Sequence, residues 1–252
     1  MMPLGLNRDA YRGETIDVHA TLRELGEAAR RHGWQQELLT SKEGVTLETW
    51  TRPTTGRCRV YISAGIHGDE PAGPKAVEQL VRENIWPDGL DVSLCPCLNP
   101  TGFPLNRREN ADGIDLNRQY LHNEAAETRA HIAWLERQPS FDVALCLHED
   151  WEARGFYLYE LNPDQRPSHA GEIIRRVSAV CPIDHSELIE TRPAAGGIIR
   201  PKLDLRPQWP EALWLINHKT RHAYTLESPS DYPLSVRVSA LVTAVRTVLE
   251  MS

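Results

Sequence analysis

Three short apolar runs in this chain end at side chains of the types that bind metal ions. The runs have the continuous hydrophobic character of strands that are buried on both faces of a sheet. The side chains at or just beyond their ends are His67 with Glu70, His148, and Glu227. Because ligands of α/β sheets bind outside the carboxyl ends of the strands, these four side chains are predicted to meet at one edge of one sheet.

The apolar patterns along the chain alternate between strand and helix. Strands are predicted over 45–51, 58–64, 91–98, 143–147, 155–161, 213–216 and 223–226, and helices over 20–31, 170–180 and 234–249. Further helices are predicted to open just after Glu70 and to run from Asn123, as N-cap, to Glu136. The alternation predicts a single α/β domain over residues 1–252, with a mixed, mainly parallel β-sheet and helices on both faces.

The residue types at the strand ends favour a catalytic metal. Two histidines and one carboxylate leave a fourth position for water, which is the arrangement of catalytic rather than structural zinc. The chain is therefore predicted to bind one Zn²⁺ ion through His67, Glu70 and His148. Such a zinc polarises a carbonyl and lowers the pKa of its water to roughly 7. A second carboxylate nearby would take the proton as the water attacks, and Glu227 is the candidate.

The order of the motifs resembles that of the zinc metallocarboxypeptidases and of their relatives, the succinylglutamate desuccinylases and aspartoacylases. The resemblance extends from about Val60 to Pro229, which is most of the chain. It implies a zinc-carboxypeptidase-like fold. It also implies the roles already considered for the strand-end side chains, with His67, Glu70 and His148 as zinc ligands and Glu227 as general base.

A polar block between the first and third ligands resembles the substrate-anchoring segment of that family. The resemblance implies that Arg108 helps to polarise the scissile carbonyl, and that Asn117 and Arg118 bind the terminal carboxylate of the substrate. A guanidinium reads a carboxylate bidentately and an amide adds a neutral donor, so the residue types suit these roles. The resemblance further implies that Asp115 accepts a hydrogen bond from the free ring N–H of His67.

Two features depart from the pattern of that family. Many of its peptidases carry a serine and a tyrosine after the third ligand, whereas His148 is followed here by Glu149, Asp150, Trp151 and Glu152. These acids are expected either to form a solvated loop or to contact an ammonium group of the substrate. A tyrosine some twenty residues before the base is typical of the digestive members, and the segment 196–208 contains none.

Composition and charge argue against two classes of binding partner and indicate a cellular compartment. The net charge of −7 argues against a nucleic-acid partner, which would need a basic face. No run of eighteen apolar residues is present, so no transmembrane helix and no membrane partner are expected. Most of the five cysteines fall on apolar strands, and their odd count suggests buried, reduced thiols in a cytoplasmic protein.

Together these features predict a zinc-dependent hydrolase that cleaves an amide bond next to a free carboxylate. The chain looks most like the small bacterial carboxypeptidases that include murein peptide amidases, which act in the cytoplasm on recycled cell-wall peptides. The substrate is accordingly expected to be a small peptide. Two alternatives stay open: a deacylase of N-acyl amino acids, of the desuccinylase and aspartoacylase type, and a zinc-stabilised binding protein with little turnover.

Overall fold

The computed structural model describes residues 2–7, 10–41, 43–54, 58–202 and 207–252. The strands are β1 (Gln35–Thr40), β2 (Thr46–Arg52), β3 (Cys58–Ala64), β4 (Leu90–Cys95), β5 (Val143–Asp150), β6 (Tyr157–Leu161), β7 (Leu188–Ile189), β8 (Arg192–Ala195), β9 (Ile198–Ile199) and β10 (Ala223–Pro229). The α-helices are α1 (Val18–Arg31), α2 (Ala72–Glu83), α3 (Ala126–Arg137), α4 (Ala170–Val177), α5 (Glu211–His218) and α6 (Leu234–Met251). Short 3₁₀ helices span Phe103–Leu105 and Leu116–Arg118.

All ten strands join one sheet in the order β1-β2-β4-β3-β5-β10-β6-β9-β8-β7. The four central strands β4, β3, β5 and β10 run parallel, and β2 and β6 flank them in the antiparallel direction. The parallel centre of the sheet has helices on both faces, which explains why its strands read as continuous apolar runs. The predicted α/β fold, with its mixed sheet, is confirmed.

Side chains of the central strands alternate between two hydrophobic cores. Ile62 and Leu145 belong to the core beneath helices α1, α2, α4 and α6, whereas Tyr61 and Cys146 belong to the core beneath α3 and α5. This alternation follows from the two-residue period of a strand. It decides which face of the sheet each residue at a strand end reaches.

Two local predictions were wrong, and strand β1 was missed. The run Leu213–Ile216, predicted as a strand, belongs to helix α5; a short apolar run cannot be assigned by periodicity alone. Asn123, predicted as an N-cap, has a left-handed φ of 59°, and the helix begins later, with Ala125 at the N-cap. Strand β1 was not predicted, because five of its six residues are exposed and leave no apolar pattern. No helix in the described ranges is long and apolar enough to cross a membrane.

Candidate active site

The pairing of strands brings the predicted metal ligands and base to one edge of the sheet. His148 lies near the carboxyl end of β5, and Glu227 lies opposite it in register on the parallel neighbour β10. On the other side of β5, strand β3 ends at Ala64, and the loop that follows it carries His67 and Glu70. Parallel strands end at the same edge, so four side chains from distant parts of the chain converge.

The three candidate ligands form a buried cluster around one carboxylate. Glu70 Oε1 lies 2.5 Å from His67 Nδ1, and Glu70 Oε2 lies 3.0 Å from His148 Nδ1. One potential ligand atom from each residue lies within 4.8 Å of the others. Burial is the largest effect on both imidazoles and lowers the pKa of each. The charge and hydrogen bonds of Glu70, together with Asp115 for His67 and Glu227 for His148, outweigh it and raise both pKa values. Two imidazole nitrogens facing one buried carboxylate are a donor set that fits a divalent cation such as zinc.

The ligand loop needs glycine at position 68. A Cβ atom on Gly68 would lie 2.2 Å from the carbonyl carbon of Gly102 and 2.6 Å from the backbone nitrogen of Phe103. Only a residue without a side chain permits that approach of two backbones. The loop that carries His67 and Glu70 is therefore packed directly against the polar segment that begins at Asn99.

Asp115 connects this ligand loop to the predicted substrate residues. Its Oδ1 lies 3.4 Å from His67 Nε2 and accepts a hydrogen bond from the Asn117 backbone N–H at 2.9 Å. Its Oδ2 accepts a hydrogen bond from Arg108 Nε at 2.9 Å. Burial raises the pKa of Asp115, but the His67 contact and the charge of Arg108 outweigh it and hold the pKa well below its usual range. A charged Asp115 therefore orients both the ligand ring and the arginine.

Asn117 is held from behind by helix α5. Its Oδ1 accepts a hydrogen bond from the backbone N–H of Glu211 at 2.9 Å, and its amide NH₂ bonds to no other described residue. The buried Glu211 carboxylate in turn accepts hydrogen bonds from Tyr61 at 2.8 Å and Ser63 at 2.9 Å, both on β3. These bonds fix the orientation of the amide, since its oxygen is already used. The free NH₂ is left as a donor.

A single cavity of about 670 Å³ contains the predicted site. Its walls include seven of the eight predicted side chains: His67, Glu70, Arg108, Asn117, Arg118, His148 and Glu227. The eighth, Asp115, contacts two of them from outside the lining. Burial and the nearby Glu70 charge raise the pKa of Glu227 well above its usual range, although His148 opposes this. Such a carboxyl group is suited to holding a proton near neutral pH.

Glu149 does not belong to a solvated acidic loop. Strand β5 extends to Asp150, so Glu149 faces away from His148, toward helices α2 and α6. Its buried carboxylate accepts hydrogen bonds from Arg237 and from the backbone N–H of Ala72. Glu149 and Asp150 both line the cavity. Asp150 accepts a hydrogen bond from Tyr157 at 3.0 Å, and burial raises its pKa to about 6.

Several cavity residues were missed by the sequence reasoning, among them Tyr159, Glu190 and Arg192. Tyr159 reaches the cavity from β6, and its hydroxyl donates a hydrogen bond to Glu190, which also lines the cavity with Arg192. Glu190 and Thr191 both adopt left-handed backbone conformations, with φ of 48° and 62°, in the turn between β7 and β8. These strands have only two and four residues and carry no periodic signal. The cavity thus has a tyrosine, although the segment searched for one contains none.

Comparison with known proteins identifies the family. Residues 57–193 match the sequence profile of the succinylglutamate desuccinylase/aspartoacylase catalytic domain. The chain is 32% identical over 109 residues to carboxypeptidase SOL1 of Arabidopsis thaliana, covering 35% of this chain and 22% of that protein. It is 30% identical over 102 residues to murein peptide amidase A of Escherichia coli (strain K12), covering 40% and 42%. The chain therefore matches less than half of the length of these relatives.

Solved structures share the fold over nearly the whole chain. A proposed metallopeptidase from Shewanella amazonensis is 25% identical, with a TM-score of 0.80 and coverage of 93% of both chains. A metallo-carboxypeptidase from Pseudomonas aeruginosa is 21% identical, with a TM-score of 0.68 and coverage of 92% of this chain and 68% of that one. The resemblance inferred from the motifs is thus confirmed. The chain belongs to the succinylglutamate desuccinylase/aspartoacylase catalytic-domain family and has the fold of the metallo-carboxypeptidases.

Proposed function

We propose that this protein is a zinc-dependent hydrolase that removes the carboxyl-terminal residue from a small peptide. The observation that carries the proposal is the composition of one cavity. It combines a buried His-Glu-His donor set, a separate carboxyl group on Glu227, and the donors Arg108, Asn117 and Arg118. Its volume of about 670 Å³ falls within the range of sites for small ligands.

The donors divide between two parts of the substrate. The Asn117 NH₂ and the Arg118 guanidinium would bind the terminal carboxylate, which fixes which amide bond is presented. Arg108 is held through its Nε by Asp115, and its other guanidinium nitrogens make no bond to a described residue. These nitrogens would stabilise the negative charge that develops on the carbonyl oxygen.

Glu227 would move the proton. Zinc bound by His67, Glu70 and His148 would polarise the carbonyl and supply a water of lowered pKa. The Glu227 carboxylate would take a proton from the attacking water and return it to the leaving nitrogen, for which a raised pKa is an advantage. His148 lies directly opposite Glu227 in the sheet, so the base and one ligand keep a fixed separation.

We further propose that the peptide derives from the cell wall and that the reaction takes place in the cytoplasm. The match to murein peptide amidase A supports the substrate, and the odd total of five cysteines, most of them on apolar strands, supports the compartment. The match of residues 57–193 to the desuccinylase/aspartoacylase profile favours a second candidate, the deacylation of an N-acyl amino acid.

The test is mass-spectrometric detection of products with zinc-loaded protein. Three substrates are compared: a γ-linked murein tripeptide, an α-linked peptide and an N-acyl amino acid. Release of a terminal amino acid from a peptide supports the carboxypeptidase and shows its linkage, whereas release from the N-acyl amino acid alone supports the deacylase. No product from any of them, with zinc bound, would support a binding role.

Glu227→Gln is the matched variant for the mechanism. It keeps the size of the side chain and removes its ability to take a proton, so turnover should fall by about 10²–10⁴-fold while zinc remains bound. Glu152→Gln is the control, because Glu152 also lines the cavity but has no role in the proposed mechanism. Full turnover by zinc-bound Glu227→Gln would contradict the assignment of the base.

A further inference from the structure

Arg237 is a fully buried arginine on helix α6 that none of the proposed chemistry uses. Its Nη1 donates to Glu149 Oε2 at 2.5 Å, and both side chains are completely excluded from solvent. Nη1 also lies 3.1 Å from the Tyr11 hydroxyl, and Nη2 lies 3.3 Å from Glu14 Oε2. The free energy needed to remove water from two charges is about as large as the free energy gained from their attraction. A contribution to stability therefore does not by itself explain such a buried pair.

Glu149 connects the two segments that carry the candidate ligands. It directly follows His148, and its Oε1 accepts a hydrogen bond of 2.5 Å from the backbone N–H of Ala72, two residues beyond Glu70. That N–H lies in the first turn of α2 and has no acceptor within the helix. Among the described residues, the only hydrogen bonds between 67–72 and 148–150 are this one and the contact of Glu70 with His148.

We propose that the Arg237–Glu149 pair is a positioning device for the cation ligands. Arg237 fixes the Glu149 carboxylate, and that carboxylate holds the start of α2 against the end of β5. The separation of Glu70 from His148 is thereby set before a cation arrives, which lowers the cost of binding it. The inference rests on the proposed function, because it assumes that His67, Glu70 and His148 hold the metal.

The same guanidinium also supports a wall of the cavity. Tyr11 lines the cavity, and its ring lies 5.6 Å from Arg237 Cζ while its hydroxyl accepts from Nη1. Glu14, which contacts Nη2, also accepts a hydrogen bond from the backbone N–H of Leu234 at the start of α6. Arg237 therefore links the amino-terminal segment of the chain to the ligand-bearing strand.

A second ion pair made by helix α6, half-buried and directed at helix α2 instead of strand β5, gives a control. Arg246 on α6 pairs with Glu83 on α2, at the end of these helices away from the ligand loop. Its loss should loosen the packing of α6 on α2 without affecting Glu149. Arg246→Met therefore tests whether the loss of any ion pair made by α6 is enough to weaken metal binding.

The experiment is a zinc titration in competition with a chromophoric chelator, alongside thermal melts of the metal-free proteins. Arg237→Met and Glu149→Gln should each weaken zinc binding, with a dissociation constant about tenfold to hundredfold higher than that of the wild type. Arg237→Lys, which keeps the charge, should recover part of the loss. Arg246→Met should change the dissociation constant by less than about twofold.

The outcomes separate this inference from the proposed function. If the wild type binds zinc and Arg237→Met binds it equally well, with only a lower melting temperature, the pair is structural and the positioning role is wrong. If Arg237→Met does not fold, the isosteric Glu149→Gln variant is used instead. Unchanged zinc binding by Glu149→Gln, with only a lower melting temperature, would likewise show that the pair is structural. A wild-type protein that binds no zinc at all would overturn the metal site itself, and the positioning role with it.

Discussion

Zinc should raise the melting temperature of the metal-free protein by about 5 °C. The candidate ligands come from segments 78 residues apart, so the unfolded chain has no preformed site and binding stabilises the folded state alone. Free zinc at about 100 times its dissociation constant contributes about 2.7 kcal/mol. An unfolding entropy of about 2.1 cal/mol/K per residue, over 252 residues, amounts to about 0.5 kcal/mol/K. The stabilisation of about 2.7 kcal/mol divided by this entropy of about 0.5 kcal/mol/K gives a shift of about 5 °C in the melting temperature.

Differential scanning calorimetry with and without zinc measures this shift, and each variant is compared with its own metal-free form. His148→Ala removes one of three ligands and should abolish most of the shift. His32→Ala changes an exposed histidine that caps α1 and should leave the shift intact. An equal shift in wild type and His148→Ala would refute the site, because zinc would then be binding elsewhere.

Three further predictions concern the residues around the site. Asp115→Asn should lower kcat/KM by about 10–100-fold in steady-state assays, because Arg108 and the His67 ring lose their charged partner; an unchanged kcat/KM would count against this role. Gly68→Ala should destabilise the protein by more than about 2 kcal/mol in urea unfolding and weaken zinc binding, because its Cβ would overlap the backbone of Gly102. Both effects should be absent in Gly171→Ala, where a Cβ meets no atom within 4 Å. Burial raises the pKa of Glu160, but hydrogen bonds from His222 and Ser168 and the charge of Arg200 lower it to about 2. Because the pKa in the unfolded chain is higher, this carboxylate stabilises the fold above about pH 4.5, and the stabilisation is lost as the pH falls toward 2. After allowance for the half-exposed Arg200, the metal-free wild type should lose about 2 kcal/mol more than Glu160→Gln over that range. Parallel losses in the two proteins would show that Glu160 is not the group responsible.

The centre of the sheet and the ligand cluster were predictable from the sequence because both depend on strong local patterns. Strand β3 has the predicted bounds, and β5 and β10 have the predicted starts, because each run is mainly apolar and is soon followed by polar residues. Once the strands are parallel, the convergence of His148 and Glu227 follows from their equal positions at the strand ends. The predicted substrate residues Arg108, Asn117 and Arg118 also reach the same cavity.

The features that could not be predicted from the sequence depend on tertiary contacts, which no local sequence pattern reveals. Glu149 could not be assigned because its partner, Arg237, is 88 residues away in the sequence. An extension of β5 by three residues beyond the predicted Leu147 would have shown that Glu149 and His148 face opposite sides. Tyr159 on β6 and Glu190 in the turn after β7 meet only through tertiary packing, and β7 is too short to show a period. The apolar run at 213–216 lies in helix α5, whose side chains join the core on one face of the sheet, and the pattern of so short a run fits either a strand or a helix.

The order of the strands in the sheet has a consequence for how the protein is made. Strand β10 is the last in the chain, yet it lies between β5 and β6, which precede it. During synthesis from the amino terminus, the place between those two strands must stay open until residues 223–229 emerge. His67, Glu70 and His148 are all translated before that moment, and Glu227 arrives with the strand that closes the sheet. The candidate ligands therefore precede the candidate base during biogenesis, and the proposed hydrolysis would have to wait for the insertion of this strand.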